Sequence, residues 1–223
     1  MNYLAIALVI LIVIILYYFF TYLTNNSLVA GLQPLNTPLS WTYDKLKNPT
    51  SLQYSYQSWL FITANPTAAT TILFRGDDAN TKEFEISLDS NLNLLIKAKV
   101  SETLQTVMKV MGAFPLQKWV YLVVNVRQKN IEAYINGKLV KTVNVANLDG
   151  PSMLAGLTAG SKTLQGYLTK LTRLPEVIDA ETVHKNYFKG NGLNNWFSSI
   201  FPYGMQFTIT SADSASRTIK LFG

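Results

Sequence analysis

The sequence predicts an all-β protein, an antiparallel β-sandwich of the jelly-roll type with one short helix, preceded by a single transmembrane α-helix. Apolar and polar residues alternate with period two over many short segments after residue 51. Asn136-Gly137 lies between two such segments, and this dipeptide is typical of a tight β-hairpin turn. The first 43 residues, by contrast, contain none of the 19 basic and 13 acidic residues of the 223-residue chain.

The first element is an apolar segment, residues 3–23, in which Thr21 is the one clearly polar residue. As a helix it would be roughly 31 Å long, which matches the hydrocarbon core of a bilayer. A cleaved signal peptide would need a basic start, a shorter apolar run and small residues before the cleavage point, so residues 1–24 are predicted to be an uncleaved anchor. The anchor residues are Tyr3, Leu4, Ile10, Ile15, Tyr17, Tyr18, Phe19, Phe20, Tyr22 and Leu23, with aromatic residues gathered at the C-terminal end.

The second element is a linker, residues 25–50, which contains Pro34, Pro38 and Pro49 and has little periodicity. It is predicted to be an extended spacer of at most roughly 80 Å. Trp41 and Tyr43 are the residues expected to pack part of it on the body. The sandwich itself is predicted over residues 51–223, with residues 191–223 as a C-terminal extension.

Alternation predicts the strands of the body. In residues 83–88 it places Phe84 and Ile86 inside and both Glu83 and Glu85 outside. The hairpin around Asn136-Gly137 is the strongest local signal. The predicted strands are residues 54–62, 70–75, 83–89, 91–100, 104–110, 119–127, the hairpin within 131–145, 166–173, 205–210 and 217–222.

One short helix is predicted before the extension. Asp179 suits its N-cap, Lys185 and Lys189 suit its last turn, and Gly190 suits its end. A further helical turn is possible around residues 193–200. The short strands and this helix predict one antiparallel sandwich, and about 170 residues is a comfortable size for one such domain.

The order of these pieces resembles laminin-G-like, concanavalin A-like sandwich domains. Residues 55–62 resemble their opening core strand, and residues 119–126 followed by 131–137 resemble their Trp, apolar strand and Tyr-x-Asn-Gly hairpin. The resemblance covers residues 52–190 and implies this fold, with weak implications for activity. The residues that carry it are Trp59, Trp119, Tyr134, Asn136 and Gly137.

A laminin-G-like domain on an N-terminal span is also similar to virion proteins of large DNA viruses of algae. In those viruses, membrane-anchored sandwich proteins lie between an internal lipid membrane and an icosahedral capsid shell. This resemblance implies a minor capsid protein in the virion's internal membrane, with its C-terminal body facing the capsid. Its partners would be the lipid bilayer and neighbouring capsid proteins.

The best pair of carboxylates is Glu83 and Glu85, whose Cβ atoms would lie roughly 7 Å apart on one face of a strand. Glucanases of this sandwich fold carry Glu-x-Asp-x-Glu on a strand, whereas this chain has Glu-x-Glu-x-Ser, with Asp89 further along. The departure favours a solvated sheet face beside Lys97 and Lys99 over a glycoside hydrolase site.

Other site candidates are weaker. Asp77 and Asp78 form an acidic loop that could bind Ca²⁺ with Asp149 from another loop, although a polar turn is the simpler interpretation. His184 is the one histidine, which excludes a multi-histidine metal centre, and it is expected to be an ordinary helix residue. The chain has no cysteine, which excludes a cysteine nucleophile and thiolate metal sites. No catalytic residue and no cofactor other than Ca²⁺ is therefore expected.

The net charge of +6 favours anionic surfaces, but the basic residues are spread along the sequence, so a nucleic-acid partner is not expected. The sequence thus predicts a membrane-anchored structural protein that links an internal virion membrane to the capsid. A membrane-displayed carbohydrate-binding module is the alternative, and a glycoside hydrolase is a remote one.

Overall fold

A computed structural model describes residues 3–23, 27–29, 31–77, 81–112, 114–193, 205–210 and 216–222; for residues 3–7, 19–23, 205–210 and 216–222 it describes the backbone alone. The helices are α1 (Tyr3–Leu23) and α2 (Ala180–Phe188), with a 3-10 turn at Tyr43–Lys45. The strands are β1 (Ser27–Val29), β2 (Gln33–Pro34), β3 (Leu39–Trp41), β4 (Gln53–Ile62), β5 (Thr70–Gly76), β6 (Lys82–Leu88), β7 (Leu94–Val100), β8 (Thr103–Val110), β9 (Trp119–Arg127), β10 (Asn130–Ile135), β11 (Lys138–Asn144), β12 (Gly156–Ala159), β13 (Gly166–Leu174), β14 (Met205–Thr210) and β15 (Ser216–Phe222).

The body is an antiparallel sandwich, as predicted. One sheet has the order β1-β13-β4-β9-β10-β11, with β2 also paired to β13, and the other has the order β3-β12-β5-β6-β7-β8. Alternate residues of both sheets, such as Leu60, Val124, Phe84 and Ile96, form one continuous apolar core. Strands β14 and β15 form a separate two-stranded sheet within the predicted C-terminal extension.

The limits of most predicted strands lie within one or two residues of the observed ones, and the predicted limits of β9 and β14 are the observed ones. Strand β7 differs from its prediction, because it begins at Leu94 rather than at Asn91. Asp89 Oδ1 accepts the backbone N–H groups of Asn91 and Asn93, both at 2.9 Å, so the chain turns there. The hydrogen bond from the Asn93 side chain is the main reason why the pKa of Asp89 falls to about 2.

The segment predicted as a spacer contributes to the sandwich. Strands β1 and β2 pair with β13, and β3 pairs with β12. Val29, Leu35 and Leu46 are buried in the core. Trp41 packs partly on the core as expected, whereas Tyr43 is 41% exposed. Strands of two or three residues show too little alternation to be recognised, which is why this region reads as irregular in sequence.

The apolar segment forms helix α1 with the predicted limits, Tyr3–Leu23. Ile10, Ile15, Tyr17 and Tyr18 are each more than half exposed. Among the residues that the structure describes, no helix meets the combined length and apolarity needed to cross a membrane. The transmembrane assignment therefore stays a prediction. The side chains of the remaining anchor residues lie outside those described: Tyr3, Leu4, Phe19, Phe20, Tyr22 and Leu23.

Helix α2 forms as its end signals predict. Asp179 accepts the backbone N–H of Thr182 at 2.9 Å and its hydroxyl at 2.7 Å, and Gly190 has φ +70° just after the last turn. Asn125, which is buried on β9, binds both backbone groups of Ile178 and so fixes the approach to the helix. The further helical turn predicted at residues 193–200 lies outside the described residues from 194 onward.

The β10–β11 hairpin has the predicted turn. Asn136 and Gly137 have φ +51° and +78°, and Ile135 pairs with Lys138. Asn136 Oδ1 also accepts the backbone N–H of Tyr121 at 2.9 Å. A Cβ added at Gly137 would lie 3.2 Å from atoms of His184 and Tyr187 on α2, so the glycine also allows the helix to pack against the turn.

The Gly137→Ala variant is expected to lose about 1–3 kcal/mol in free energy of unfolding, because it combines an unfavourable φ with crowding against α2. Gly112 is a matched control: its φ is +109°, but apart from its chain neighbours no atom of the described residues lies within 4 Å of an added Cβ. Gly112→Ala should therefore lower the free energy of unfolding only through its unfavourable φ, by about 1 kcal/mol. Urea unfolding of the full chain measures both, and equal midpoints would contradict the predicted contact with α2.

Candidate functional site

A cleft of about 250 Å³ opens at one end of the sandwich. We call it the rim cleft. Its walls come from the start of β4, the β9–β10 turn and the segment that follows β11. The residues that matter for its chemistry are Leu52, Tyr54, Gln128, Lys129, Asn147 and Asp149.

Backbone hydrogen bonds hold the walls of the rim cleft in place. Gln128 donates to the carbonyl of Leu52 at 3.3 Å, and Asp149 donates to that of Lys99 at 2.9 Å. Asp149 Oδ2 accepts the backbone N–H of Glu102 at 2.7 Å. Gln128 and Asn147 adopt positive φ values of +44° and +56°, so both loops turn sharply. The cleft is thus lined by loops whose backbone is already paired, which reduces the ordering cost of binding.

The lining can form hydrogen bonds of several kinds. Gln128 and Asn147 supply amides that both donate and accept, and Lys129 supplies an ammonium group. Burial raises the pKa of the Tyr54 phenol well above its ordinary value, so the hydroxyl stays protonated at neutral pH. Leu52, Leu148 and Pro151 add apolar surface. This mixture suits a neutral, polyhydroxylated ligand with C–H faces.

Below the rim cleft lies a cavity of about 10 Å³, roughly the size of one water molecule. Arg75 lines it and is fully buried, and its Nε and Nη1 make no hydrogen bond within the described part of the chain. Its Nη2 donates to the carbonyl of Ser152 at 2.9 Å, while Glu83 accepts the backbone N–H of Ser152 at 3.0 Å. Arg75 and Glu83 therefore clamp the loop that forms the cleft wall.

The structure separates the two carboxylates of the predicted pair. Glu83 lies 3.9 Å from Arg75 Nε, whereas Glu85 accepts a hydrogen bond from Thr71 and pairs with Lys82 at 3.2 Å and Lys97 at 3.3 Å. Glu85 is only 5% exposed, so the expectation of a solvated sheet face was wrong for it, although Lys97 is its neighbour as predicted.

Burial alone would raise the pKa of the Glu85 carboxyl, but the Thr71 hydrogen bond and the neighbouring lysines lower it below its ordinary value. A general acid needs the opposite shift, towards neutral pH. Because Glu83 is engaged by Ser152 as well, the arrangement does not resemble a glycosidase pair. Asp89, the third acid considered, is occupied by its own turn and by Lys109 at 3.2 Å.

The calcium candidates are scattered. Asp77 is exposed just after β5, and Asp78 lies outside the described residues. Asp149 lies at the rim cleft, where its carboxylate accepts the backbone N–H of Glu102. Among the described residues, no group of three histidine or acidic side chains is placed to hold a metal ion. His184 is exposed on α2 and makes an edge contact with Phe188 at 4.7 Å.

A second cavity, of about 110 Å³, lies on the outer face of the first sheet beside the end of α2. We call it the basal pocket. Lys170 on β13 and Lys189 after α2 are its charged lining residues, and Gln57, Asn186, Thr172 and Ser27 are its polar ones. Trp59 and Tyr121, whose ring centroids lie 5.2 Å apart, also line it.

The aromatic residues of the hairpin region are packed rather than displayed. Trp59 stacks on Tyr187 of α2 at 5.7 Å, and Tyr121 and Tyr134 are nearly fully buried. Trp119 contacts Phe61 at 5.4 Å. The hydroxyl of Tyr134 donates to Glu132 at 3.0 Å, and burial followed by this bond raises the pKa of Tyr134 to about 12. Tyr121 and Tyr134 are therefore packed residues and offer no exposed ring face for a sugar.

Comparison with known proteins assigns a family and a fold. A family model described as the concanavalin A-like lectin/glucanases superfamily, of the third laminin-G type, matches residues 39–191. No curated protein matches the sequence.

Three similar solved structures illustrate the fold. The receptor-binding domain of a botulinum neurotoxin C/D mosaic has a TM-score of 0.58 at 12% identity, over 72% of this chain and 43% of that one. Botulinum neurotoxin type C is a toxin whose cell entry is dependent upon interaction with two ganglioside molecules. Its structure has a TM-score of 0.52 at 14% identity, over 72% of this chain and 45% of that one. The sialidase of Trypanosoma rangeli has a TM-score of 0.54 at 13% identity, over 76% and 28%. This chain spans less than half of each.

Proposed function

The chain belongs to the concanavalin A-like lectin/glucanases superfamily, and on that premise we propose that it is a carbohydrate-binding protein whose sugar site is the rim cleft. The observation that carries the proposal is the cleft itself. Its polar side chains stand on loops that are already hydrogen-bonded, and they alternate with apolar surface. Amides and hydroxyls of this kind match the donors and acceptors of sugar hydroxyl groups.

Two further findings support a binding role without catalysis. Glu83 and Glu85 are engaged by Ser152, Lys82 and Lys97, so neither serves as a free acid or nucleophile. Among proteins with this fold, one neurotoxin depends on interaction with two ganglioside molecules for cell entry, and another protein is a sialidase. The likeness is one of fold, and carrying the ligand class over to this chain is part of the proposal.

The proposal includes membrane display through α1. Its 21 residues, Tyr3–Leu23, carry no charge, and nine consecutive aliphatic residues, 8–16, lie within them. The predicted role as a link between a virion membrane and a capsid shell remains a second candidate, favoured by this helix alone. Carbohydrate binding takes precedence because both the family and the rim cleft support it.

A glycan array probed with the full chain in detergent micelles tests the sugar site. We expect one glycan class to bind, and Lys129→Ala to weaken that binding about ten-fold, the effect of losing one charge-assisted hydrogen bond. Lys162→Ala is the matched control, because it removes the same charge from an exposed loop outside the cleft. Absence of binding to any glycan, or equal binding by the two variants, would refute the rim cleft as a sugar site.

A further inference from the structure

The basal pocket concentrates positive charge without a matching acid. Lys170 and Lys189 both line it, and none of the described lining residues is a carboxylate. Burial, and then the charge of Lys189, lower the pKa of Lys170. Two ammonium groups that line one pocket repel each other, and an anion between them would compensate that repulsion.

The Lys170 side chain is held in a defined position. Its backbone lies at φ +51° in the irregular part of β13, and its Nζ donates to the carbonyl of Gly190 at 2.8 Å. A Cβ added at Gly192 would lie 2.5 Å from Lys170 Cε, so the side chain passes directly over that glycine. Lys189 Nζ donates to Asn186 Oδ1 at 3.3 Å. Each ammonium group has three N–H bonds, so both keep donors for a ligand.

The rest of the lining is compatible with an anion. The Asn186 amide donates one N–H to Gln57 Oε1 at 3.4 Å and keeps a second one for a ligand, whereas the Thr172 hydroxyl already donates to the carbonyl of Lys170 at 3.4 Å. The two amide oxygens of the lining are already occupied, Gln57 Oε1 by the hydroxyl of Tyr121 at 2.6 Å and Asn186 Oδ1 by Lys189 Nζ at 3.3 Å. An oxyanion, which only accepts hydrogen bonds, therefore fits this lining better than a cation or a neutral polyol. The volume of about 110 Å³ holds a group of several heavy atoms.

The pocket also lies next to the proposed membrane anchor in the chain. Ser27 lines the pocket and is four residues after Leu23, where α1 ends. Four residues span at most about 14 Å, whatever their conformation. If α1 crosses the bilayer, as proposed above, the pocket lies within reach of the layer of lipid headgroups, where phosphate is the abundant anion.

We propose that the basal pocket binds a phosphate group, clamped between Lys170 and Lys189, and that the headgroup of an anionic phospholipid supplies it. The phosphate site follows from the pocket alone, while the lipid source rests on the proposed membrane anchoring. Binding there would fix the orientation of the body on the membrane and leave the rim cleft available to its ligand.

Calorimetric titration of the full chain in an uncharged detergent tests the site, with inorganic phosphate as the probe. We expect saturable binding, weakened about ten-fold by Lys170→Met and by Lys189→Ala. Lys170→Met keeps the apolar stem of the side chain, and Lys189 is exposed, so at least the second variant should fold normally. The control is Lys185→Ala, which removes the same charge from α2 one turn earlier, outside the pocket lining. No binding of phosphate, or equal loss in the control, would overturn the site.

The source is tested by repeating the titration with the chain in phosphatidylcholine nanodiscs and in nanodiscs that also contain phosphatidic acid. We expect phosphatidic acid to abolish the phosphate signal by occupying the pocket. An undiminished signal there would overturn the lipid source and assign the site to free phosphate. Glycan binding by Lys189→Ala should be unchanged, so a failure of the phosphate site is distinguishable from a failure of the rim cleft.

Discussion

Glu83→Gln is expected to lower the free energy of unfolding by about 2–4 kcal/mol, a large loss for one isosteric change. Arg75 is fully buried, and Glu83 is the one acid within ion-pair distance of it among the described residues. Removing the negative charge leaves a buried guanidinium without compensation. The glutamine keeps an oxygen that can accept from Ser152, so the loss reports on the charge rather than on that hydrogen bond.

The double variant Arg75→Met/Glu83→Gln is expected to regain part of the stability that Glu83→Gln loses. With both charges gone, no ion remains buried, and the methionine fills part of the arginine's volume. We therefore expect the double variant to be more stable than Glu83→Gln by about 1–3 kcal/mol. Such a coupling would show that the loss in Glu83→Gln comes from the uncompensated charge of Arg75, the partner with which Glu83 holds the Ser152 segment of the rim cleft wall.

Urea unfolding of the full chain, followed by tryptophan fluorescence, measures these differences. Glu181→Gln is the matched control, since Glu181 also pairs with a base, Lys185 at 2.7 Å, but on an exposed helix surface. Surface pairs contribute at most about 1 kcal/mol. If Glu83→Gln and Glu181→Gln shift the midpoint equally, the buried charge of Arg75 is compensated in some other way.

The buried position of Arg75 shows where sequence periodicity stops being informative. In a regular strand, Thr71, Leu73 and Arg75 would share one face. A bulge between Thr71 and Leu73 adds one residue, so that Leu73 and Arg75 pair with Ile86 and Phe84 on the core side. One extra residue in a strand inverts the faces of everything after it. Nothing local to residues 70–76 marks the bulge, so the arginine was not predictable as a core residue.

The same contrast applies to the sandwich as a whole. Strands of six or more residues, such as β6 and β9, and the Asn136-Gly137 turn carry their own signals and were predicted. Strands β1, β2, β3 and β12 are only two to four residues long. They form because β1 and β2 pair with β13, β12 pairs with β5, and β3 pairs with β12. Their stability comes from tertiary contacts, which leave no periodicity in so short a segment.

The rim cleft and the basal pocket also differ in how much of each the sequence predicted. Asp149 was considered as a ligand and does lie at the rim cleft, because loops at one end of a sandwich converge whatever their sequence. The basal pocket had no sequence signal. It joins Ser27, Gln57, Thr172 and Lys189 from four separate segments, and the contact between the hydroxyls of Ser27 and Thr172 spans 145 residues.

Removal of residues 1–24 is expected to move the protein from the membrane pellet to the supernatant after a carbonate wash. Residues 8–16 are nine consecutive aliphatic residues, which at about −0.3 to −0.6 kcal/mol each favour insertion by about 3–5 kcal/mol before the flanking aromatic residues are counted. Without them, the remaining chain has no comparable apolar run, and its attachment to a membrane would depend on the basal pocket alone.

A variant that keeps the length of the segment separates insertion from simple truncation. In Ile10→Lys/Ile14→Lys each lysine costs about 2.5–3.5 kcal/mol at the helix centre, so the pair outweighs the gain from the aliphatic residues. This variant should behave like the truncation, whereas Ile10→Leu/Ile14→Leu should stay in the pellet. N-terminal sequencing of the mature wild-type chain completes the test, because a start near Gly31 would mean that the segment is cleaved. In that case the body would have no anchor, and a phospholipid headgroup would no longer explain the phosphate proposed between Lys170 and Lys189. The proposed sugar site at the rim cleft would be unaffected.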